Sequence, residues 1–81
     1  MDRTIKHIFI HCTGGNQLAT PIDLMAEFAQ KGWKNPGYHI VIDFMGRAHL
    51  MLPFEKVANG VKGWNLNAIH IAWIGGADGK D

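Results

Sequence analysis

A run of apolar residues that ends in a histidine constrains this chain more than any other feature. Residues 5–10 are rich in isoleucine and contain no breaking residue, which is typical of a buried β-strand. The turn-forming run Thr-Gly-Gly-Asn at residues 13–16 then ends the strand. Because side chains alternate along a strand, His7, Phe9 and His11 share one face. His11 therefore lies at the end of the strand, next to a loop, and functional sites often form in such loops. It is either a polar residue that ends the strand or a functional group.

One amphipathic helix is predicted after this turn. Thr20 takes the N-cap position, Pro21 follows at the first helical position, and Asp23 completes a capping box. The helix is predicted to run to about Lys31, with Gly32 closing it. Its predicted apolar stripe consists of Ile22, Met25, Ala26, Phe28 and Ala29.

Three further strands are predicted, at residues 38–44, 47–52 and 68–74. Met45 and Gly46 make a tight turn that joins the first two of them into a hairpin. Alternation places His39 on the face opposite Tyr38. Residues 54–67 are predicted to be a loop with at most one short helical turn.

The sequence predicts too few helices to cover both faces of the sheet. Strands that are apolar on both faces need cover on both faces, and the sequence offers one convincing helix. We therefore predict an α/β fold with a mixed central sheet, one main helix, and a second sheet face covered by another subunit. A homo-oligomer is the predicted source of this cover, and a missing C-terminal segment is the alternative.

Composition bounds the remaining possibilities. The chain has 81 residues, and we interpret residues 1–81 as a single domain. Eight basic and seven acidic residues nearly cancel, which argues against a nucleic-acid polymer or an anionic membrane as a partner. A single cysteine, Cys12, excludes an internal disulfide, and the polar first residues show no signal peptide. These features predict a cytoplasmic protein.

Several motifs occur in order along almost the whole chain. They are IFIHCT at residues 8–13, GW at 32–33, GYHIVI at 37–42, Gly46 with His49 and Pro53, VKGWN at 61–65 and IGG at 74–76. Together they resemble the zinc N-acetylmuramoyl-L-alanine amidases of the phage-lysozyme and peptidoglycan-recognition-protein type. The resemblance implies that His11 is a zinc ligand and that Tyr38 is a catalytic residue which stabilises the attacked carbonyl. Zinc would activate a water and polarise the amide between the muramoyl lactyl group and L-alanine.

The sequence also departs from this family. Its members continue beyond the Gly-Gly at residues 75–76 to a second zinc histidine, a polar catalytic residue and a third ligand. Related phage enzymes also carry a histidine just before the Lys-Gly-aromatic-Asn run, where this chain has Gly60 and Val61. The other histidines, His7, His39, His49 and His70, are predicted to be structural, and Cys12 a small buried residue. One inherited ligand is fewer than a catalytic zinc needs.

We therefore predict a non-catalytic protein, phage-derived and acting in the host cytosol. It would sequester or inhibit a small ligand such as a nucleotide-like signalling molecule, in an anti-defence role and without a cofactor. The predicted ligand-binding residues are His11, Thr13, Trp33, Tyr38, Lys62 and Trp64. The alternative is the N-terminal part of a zinc-dependent amidase that cleaves peptidoglycan, with a muropeptide as substrate and zinc at His11.

Overall fold

The described part of the chain folds around a mixed four-stranded sheet with one α-helix. The computed structural model describes residues 3–60 and 63–76. The elements are β1 (His7–Cys12), α1 (Pro21–Gln30), β2 (Ile40–Ile42), β3 (Ala48–Leu50), a 3-10 turn η1 (Asn65–Asn67) and β4 (Ala68–Trp73). The strand order is β1-β4-β2-β3, in which β4 runs parallel to both β1 and β2 and only β3 is antiparallel. The predicted α/β class and mixed sheet are confirmed. In the described part of the chain, no helix is long and apolar enough to cross a bilayer.

The strands differ from the prediction mainly at their ends. β1 begins and ends two residues later than predicted, because its ladder with β4 pairs His7 with Ala68 and extends to Cys12. β2 has three residues where seven were predicted. The carboxylate of Asp43 accepts hydrogen bonds from the backbone amides of Met45 and Arg47, which starts the turn directly after β2.

The helix begins as the sequence predicts. The Thr20 hydroxyl accepts a hydrogen bond from the Asp23 amide at 3.2 Å, and the Asp23 carboxylate accepts one from the Thr20 amide at 2.9 Å. The predicted apolar stripe is wrong, however. Ile22 is 81% exposed and Met25 44% exposed, whereas Leu24, which the prediction omitted, is buried together with Phe28. The stripe that faces the sheet follows the i, i+4 pair Leu24 and Phe28.

The core lies between α1 and one face of the sheet. Leu24 and Phe28 of the helix pack against Val41 and Ala72, which are paired across β2 and β4, and against Ile74. Because partners in adjacent strands share a face, the pairing of Ala72 with His11 places His11 on this covered face. The helix therefore helps to build the surroundings of the histidine that the sequence singled out.

The opposite sheet face carries a continuous apolar row, which we call the open face. Strand pairing aligns Ile10, Ile71, Ile40 and Leu50 across all four strands. At the two edges of this row, Ile10 is 68% exposed and Leu50 64% exposed. Nothing within the described residues covers the open face, as the layer argument predicts. The occupant of this face stays a prediction.

Candidate functional site

His11 is fixed at the end of β1 by a junction with the end of β4. The Thr13 hydroxyl accepts a hydrogen bond from the Gly75 amide at 3.0 Å and donates one to the Gly75 carbonyl at 3.3 Å. The Gly14 amide donates to the same carbonyl at 2.7 Å. A side chain at Gly75 would crowd the Trp73 ring, and the φ of +147° at Gly75 also favours glycine. Thr13, a predicted ligand-binding residue, thus has its hydroxyl engaged in closing the sheet.

Tyr38 lies against His11, as the prediction of a shared site requires. Their ring centroids are 5.3 Å apart. Burial raises the pKa of the Tyr38 phenol, and the nearby Cys12 and Glu27 raise it further. Burial also lowers the pKa of His11. At neutral pH the site therefore presents a neutral imidazole beside a protonated phenol, which can donate a hydrogen bond.

Phe28 positions two of the predicted site residues. Its ring stacks on Trp33 at a centroid distance of 5.4 Å and meets Tyr38 edge-on at 5.7 Å. The Trp33 contact follows from the end of α1, where the Trp33 amide donates to the Phe28 carbonyl and the Gly32 amide to the Ala29 carbonyl. This is a Schellman motif, in which Gly32 takes a φ of +76°. The predicted role of Gly32 in closing the helix is confirmed.

His70 joins the site, which the sequence analysis did not predict. Its Nδ1 lies 3.0 Å from Nε2 of His11, and its side chain is fully buried. Burial, together with the nearby His11, His39 and Arg3, lowers the pKa of His70 to about 4. His70 Nε2 has no hydrogen-bond partner within the described residues. The sequence predicted a structural role for His70 and did not predict this contact with His11.

His39 is structural, as predicted, but it does not lie apart from the site. Its Nδ1 accepts a hydrogen bond from the His70 amide at 3.1 Å, and its Nε2 donates to the Lys56 carbonyl at 2.7 Å. Its ring stacks on His70 at 6.1 Å. Tyr38 and His39 precede the first residue of β2, so strict strand alternation does not separate them. Tyr38 contacts His11, and His39 contacts His70.

The two predicted aromatic residues in loops occupy different places. Trp33, 38% exposed, lines a shallow cavity of about 260 Å³ together with Asn59, Gly63 and Asn65. Trp64 is 55% exposed and meets the His7 ring edge-on at 5.2 Å, near the start of β1. The structure therefore brings Tyr38 to His11 but places Trp64 at the far end of the strand. Lys62, also predicted to bind ligand, lies outside the described residues.

The described residues supply one of the ligands that a catalytic zinc needs. His11 fits this role, since its imidazole is neutral and its Nδ1 has no hydrogen-bond partner in the described part of the chain. Within residues 3–60 and 63–76, no group of three histidine, cysteine, aspartate or glutamate side chains could hold a metal. His11 fits a zinc site, and the described residues do not complete it.

Comparison with curated proteins shows phage lysins. The chain is 30% identical over 79 residues to the endolysin of Enterobacteria phage T3, covering 95% of this chain and 52% of the T3 protein. It is 31% identical over 75 residues to the endolysin of Escherichia phage T7, covering 90% of this chain and 50% of that protein. The chain therefore spans about half the length of these relatives.

Solved structures share the fold. The endolysin of Thermus scotoductus bacteriophage Ph2119 superposes with a TM-score of 0.85 at 25% identity, over 93% of this chain and 49% of that one. The ectodomain complex of peptidoglycan recognition proteins LCa and LCx, solved with tracheal cytotoxin, matches with a TM-score of 0.77. That match has 21% identity over 91% of this chain and 49% of the other, and it shows the fold alone.

These findings correct the functional prediction. The relatives are endolysins, which supports the alternative of a peptidoglycan-cleaving amidase, and the prediction of a non-catalytic sequestering protein is wrong. That prediction depended on where the sequence stops, which says nothing about the chemistry of the residues present. The family model described as N-acetylmuramoyl-L-alanine amidase matches residues 1–81. The chain therefore belongs to the N-acetylmuramoyl-L-alanine amidase family.

Proposed function

We propose that this chain acts in zinc-dependent cleavage of peptidoglycan, at the amide bond between the muramoyl lactyl group and L-alanine. The observation that carries the proposal is the contact of His11 with Tyr38 at the end of β1, in a chain of the amidase family. The sequence resemblance assigned these two residues to zinc binding and to carbonyl stabilisation. Their arrangement supports both roles.

The two side chains present the chemical forms that the reaction needs. Metal ligation requires a neutral imidazole, and the lowered pKa of His11 keeps it neutral near pH 7. Stabilising a developing oxyanion requires a donor, and the raised pKa of Tyr38 keeps its hydroxyl protonated. A bound zinc ion would supply a water of lowered pKa and polarise the amide carbonyl. The remaining ligands would have to come from groups outside the described residues.

The cavity lined by Trp33 supports a proposed contact with glycan or peptide. Its lining residues include Trp33, Asn59 and Asn65. The Asn59 amide is held by a 2.8 Å hydrogen bond to the Asn35 carbonyl, which fixes one wall. Aromatic faces with adjacent amide groups suit the mixed apolar and polar surface of a muropeptide.

A cleavage assay on purified peptidoglycan tests the proposal. The chain is incubated with peptidoglycan in the presence of zinc, and mass spectrometry measures the release of peptides that begin with free L-alanine. We expect release that is abolished by a chelator and by His11→Ala. A folded chain that releases no such peptide with zinc present would contradict the proposed activity.

We also propose that the protein is cytoplasmic before it meets its substrate. Cell fractionation measures this location.

A further inference from the structure

We propose that His70 is a positioning residue that sets the orientation and the tautomer of His11. This inference rests on the proposed function, because it concerns how His11 presents its free nitrogen to zinc. The supporting observations are the burial of His70, its ring contacts, its distance from His11 and the glycine beside it.

The His70 ring is confined on several sides. It stacks on Phe9 at 5.3 Å with an interplanar angle of 11°, and on His39 at 6.1 Å with an angle of 6°. Its backbone amide is bonded to His39, and its side chain is fully buried. A Cβ atom at Gly60 would overlap the His70 ring. Glycine at position 60 therefore leaves the space that lets His70 direct its Nδ1 toward His11.

The hydrogen bond between the two imidazoles selects a tautomer. Nε2 of His11 and Nδ1 of His70 are 3.0 Å apart, so one nitrogen must carry a proton and the other must accept it. A histidine that ligates a metal through Nδ1 carries its proton on Nε2 and donates that proton to a neighbouring group. His11 then donates to His70, and Nδ1 of His11 is left free for zinc.

The same assignment accounts for the unusual burial of His70. When its Nδ1 accepts, the proton of His70 lies on Nε2, which has no partner within the described residues. A buried polar atom without a partner is destabilising, so folding alone does not favour a histidine here. Buried unpaired groups of this kind call for a functional explanation, and holding His11 supplies one.

Three single variants separate positioning from packing. His70→Asn keeps an acceptor oxygen near the place of Nδ1, whereas His70→Leu has nearly the same shape as asparagine but no acceptor. Gly60→Ala pushes the His70 ring away without changing either histidine, and Gly60 has no positive φ that would strain an alanine. Circular dichroism of each full-length variant confirms that it folds.

The first readout is the hydrogen bond itself. Nitrogen-15 NMR of the whole wild-type chain detects scalar coupling across an N–H···N hydrogen bond and shows which nitrogen carries the proton. We expect coupling between Nε2 of His11 and Nδ1 of His70, with the proton on His11. Absence of this coupling, or a proton on His70 Nδ1 in the presence of zinc, overturns the inference.

The second readout is zinc affinity, measured by competition with a chromophoric chelator. We expect His70→Leu and Gly60→Ala to weaken zinc binding about 10–100-fold, with His70→Asn close to the wild type. Folded His70→Leu and Gly60→Ala variants with wild-type affinity would overturn the positioning role. If the wild-type chain binds no zinc, the proposed zinc chemistry fails, while the NMR coupling still decides the inference about His70.

Discussion

The guanidinium of Arg3 lies 3.2 Å from Nε2 of His39, although both groups are hydrogen-bond donors. Nδ1 of His39 accepts the His70 amide, so the His39 proton must be on Nε2, where it is donated to the Lys56 carbonyl. The Arg3 contact is therefore the approach of a cation to a neutral ring, and it opposes protonation of His39. Burial is the larger cause that lowers the pKa of His39.

Acid should destabilise the fold, because its buried histidines are neutral. The pKa of His70 is about 4 in the folded chain and near 6.5 in the unfolded chain, so the unfolded state binds more protons between these values. The free energy of unfolding should be highest above pH 6.5 and should fall toward pH 4. Protonation of His70 should account for a loss on the order of 3 kcal/mol over this range. The lowered pKa values of His11 and His39 act in the same direction.

Urea denaturation at several pH values measures this dependence. His70→Leu is the matched variant, since it removes the histidine whose pKa is lowered to about 4 and fills much of its space. Its free energy of unfolding should vary less between pH 4 and pH 7 than that of the wild type. Equal pH dependence in the two proteins would contradict the assignment to His70.

Arg3 should contribute strongly to stability because it joins distant parts of the chain. Its guanidinium donates hydrogen bonds to the carbonyls of Phe54, Leu66 and Ala68. Replacing it in Arg3→Gln leaves these carbonyls without a charged donor, and we expect a loss of about 2 kcal/mol in the free energy of unfolding. Arg47→Gln, at an exposed arginine in the turn between β2 and β3, should change stability by less than about 0.5 kcal/mol. Similar losses in both variants would contradict the bridging role.

The helix face can be checked with two alanine variants. Leu24 is 5% exposed and packs in the core, whereas Ile22 is 81% exposed. We expect Leu24→Ala to lower the free energy of unfolding by about 2–4 kcal/mol, because it leaves a cavity under the helix. Ile22→Ala should change it by no more than about 0.5 kcal/mol. Thermal or urea unfolding measures the stability of both variants. A larger loss of stability for Ile22→Ala than for Leu24→Ala would support the apolar stripe predicted from the sequence.

Tyr38 should act in the chemical step rather than in zinc binding. Tyr38→Phe keeps the ring against Phe28 and His11 and removes only the hydroxyl donor. If the chain cleaves peptidoglycan, we expect kcat to fall about 100–1,000-fold with unchanged zinc affinity. A variant that loses zinc as well would show that Tyr38 supports the metal site instead.

Local signals in the sequence were enough to predict much of this structure. Thr20, Asp23 and Gly32 specify the ends of the helix by hydrogen bonds within a few residues. His70 could not be placed in this way, because its contact with His11 depends on the parallel register of β1 with β4 across 59 residues. Leu24 was missed because an exposed isoleucine and a buried leucine look alike in an apolar pattern.

One signal could have pointed to His70. The loop histidine that the family resemblance implies is absent, and Gly60 and Val61 stand in its place, while the apolar strand β4 contains His70. A loop without its expected imidazole, followed by a strand that carries one, indicates that the strand histidine can fill the same space. The structure shows the His70 ring directly beside Gly60.

The predicted homo-oligomer would form by association of two chains through the open face. Its row of Ile10, Ile71, Ile40 and Leu50 is long enough to favour association, since exposed apolar patches are usually covered. If a second copy of this chain covers it, light scattering should give at least twice the mass of one chain, and Ile10→Asp should reduce that mass to one. Lys6→Asp, at an exposed position just before β1, is the control for added negative charge. A wild-type chain that stays monomeric at all concentrations would contradict the homo-oligomer, and cover by polypeptide matching the other half of the relatives' length would then be the explanation to test.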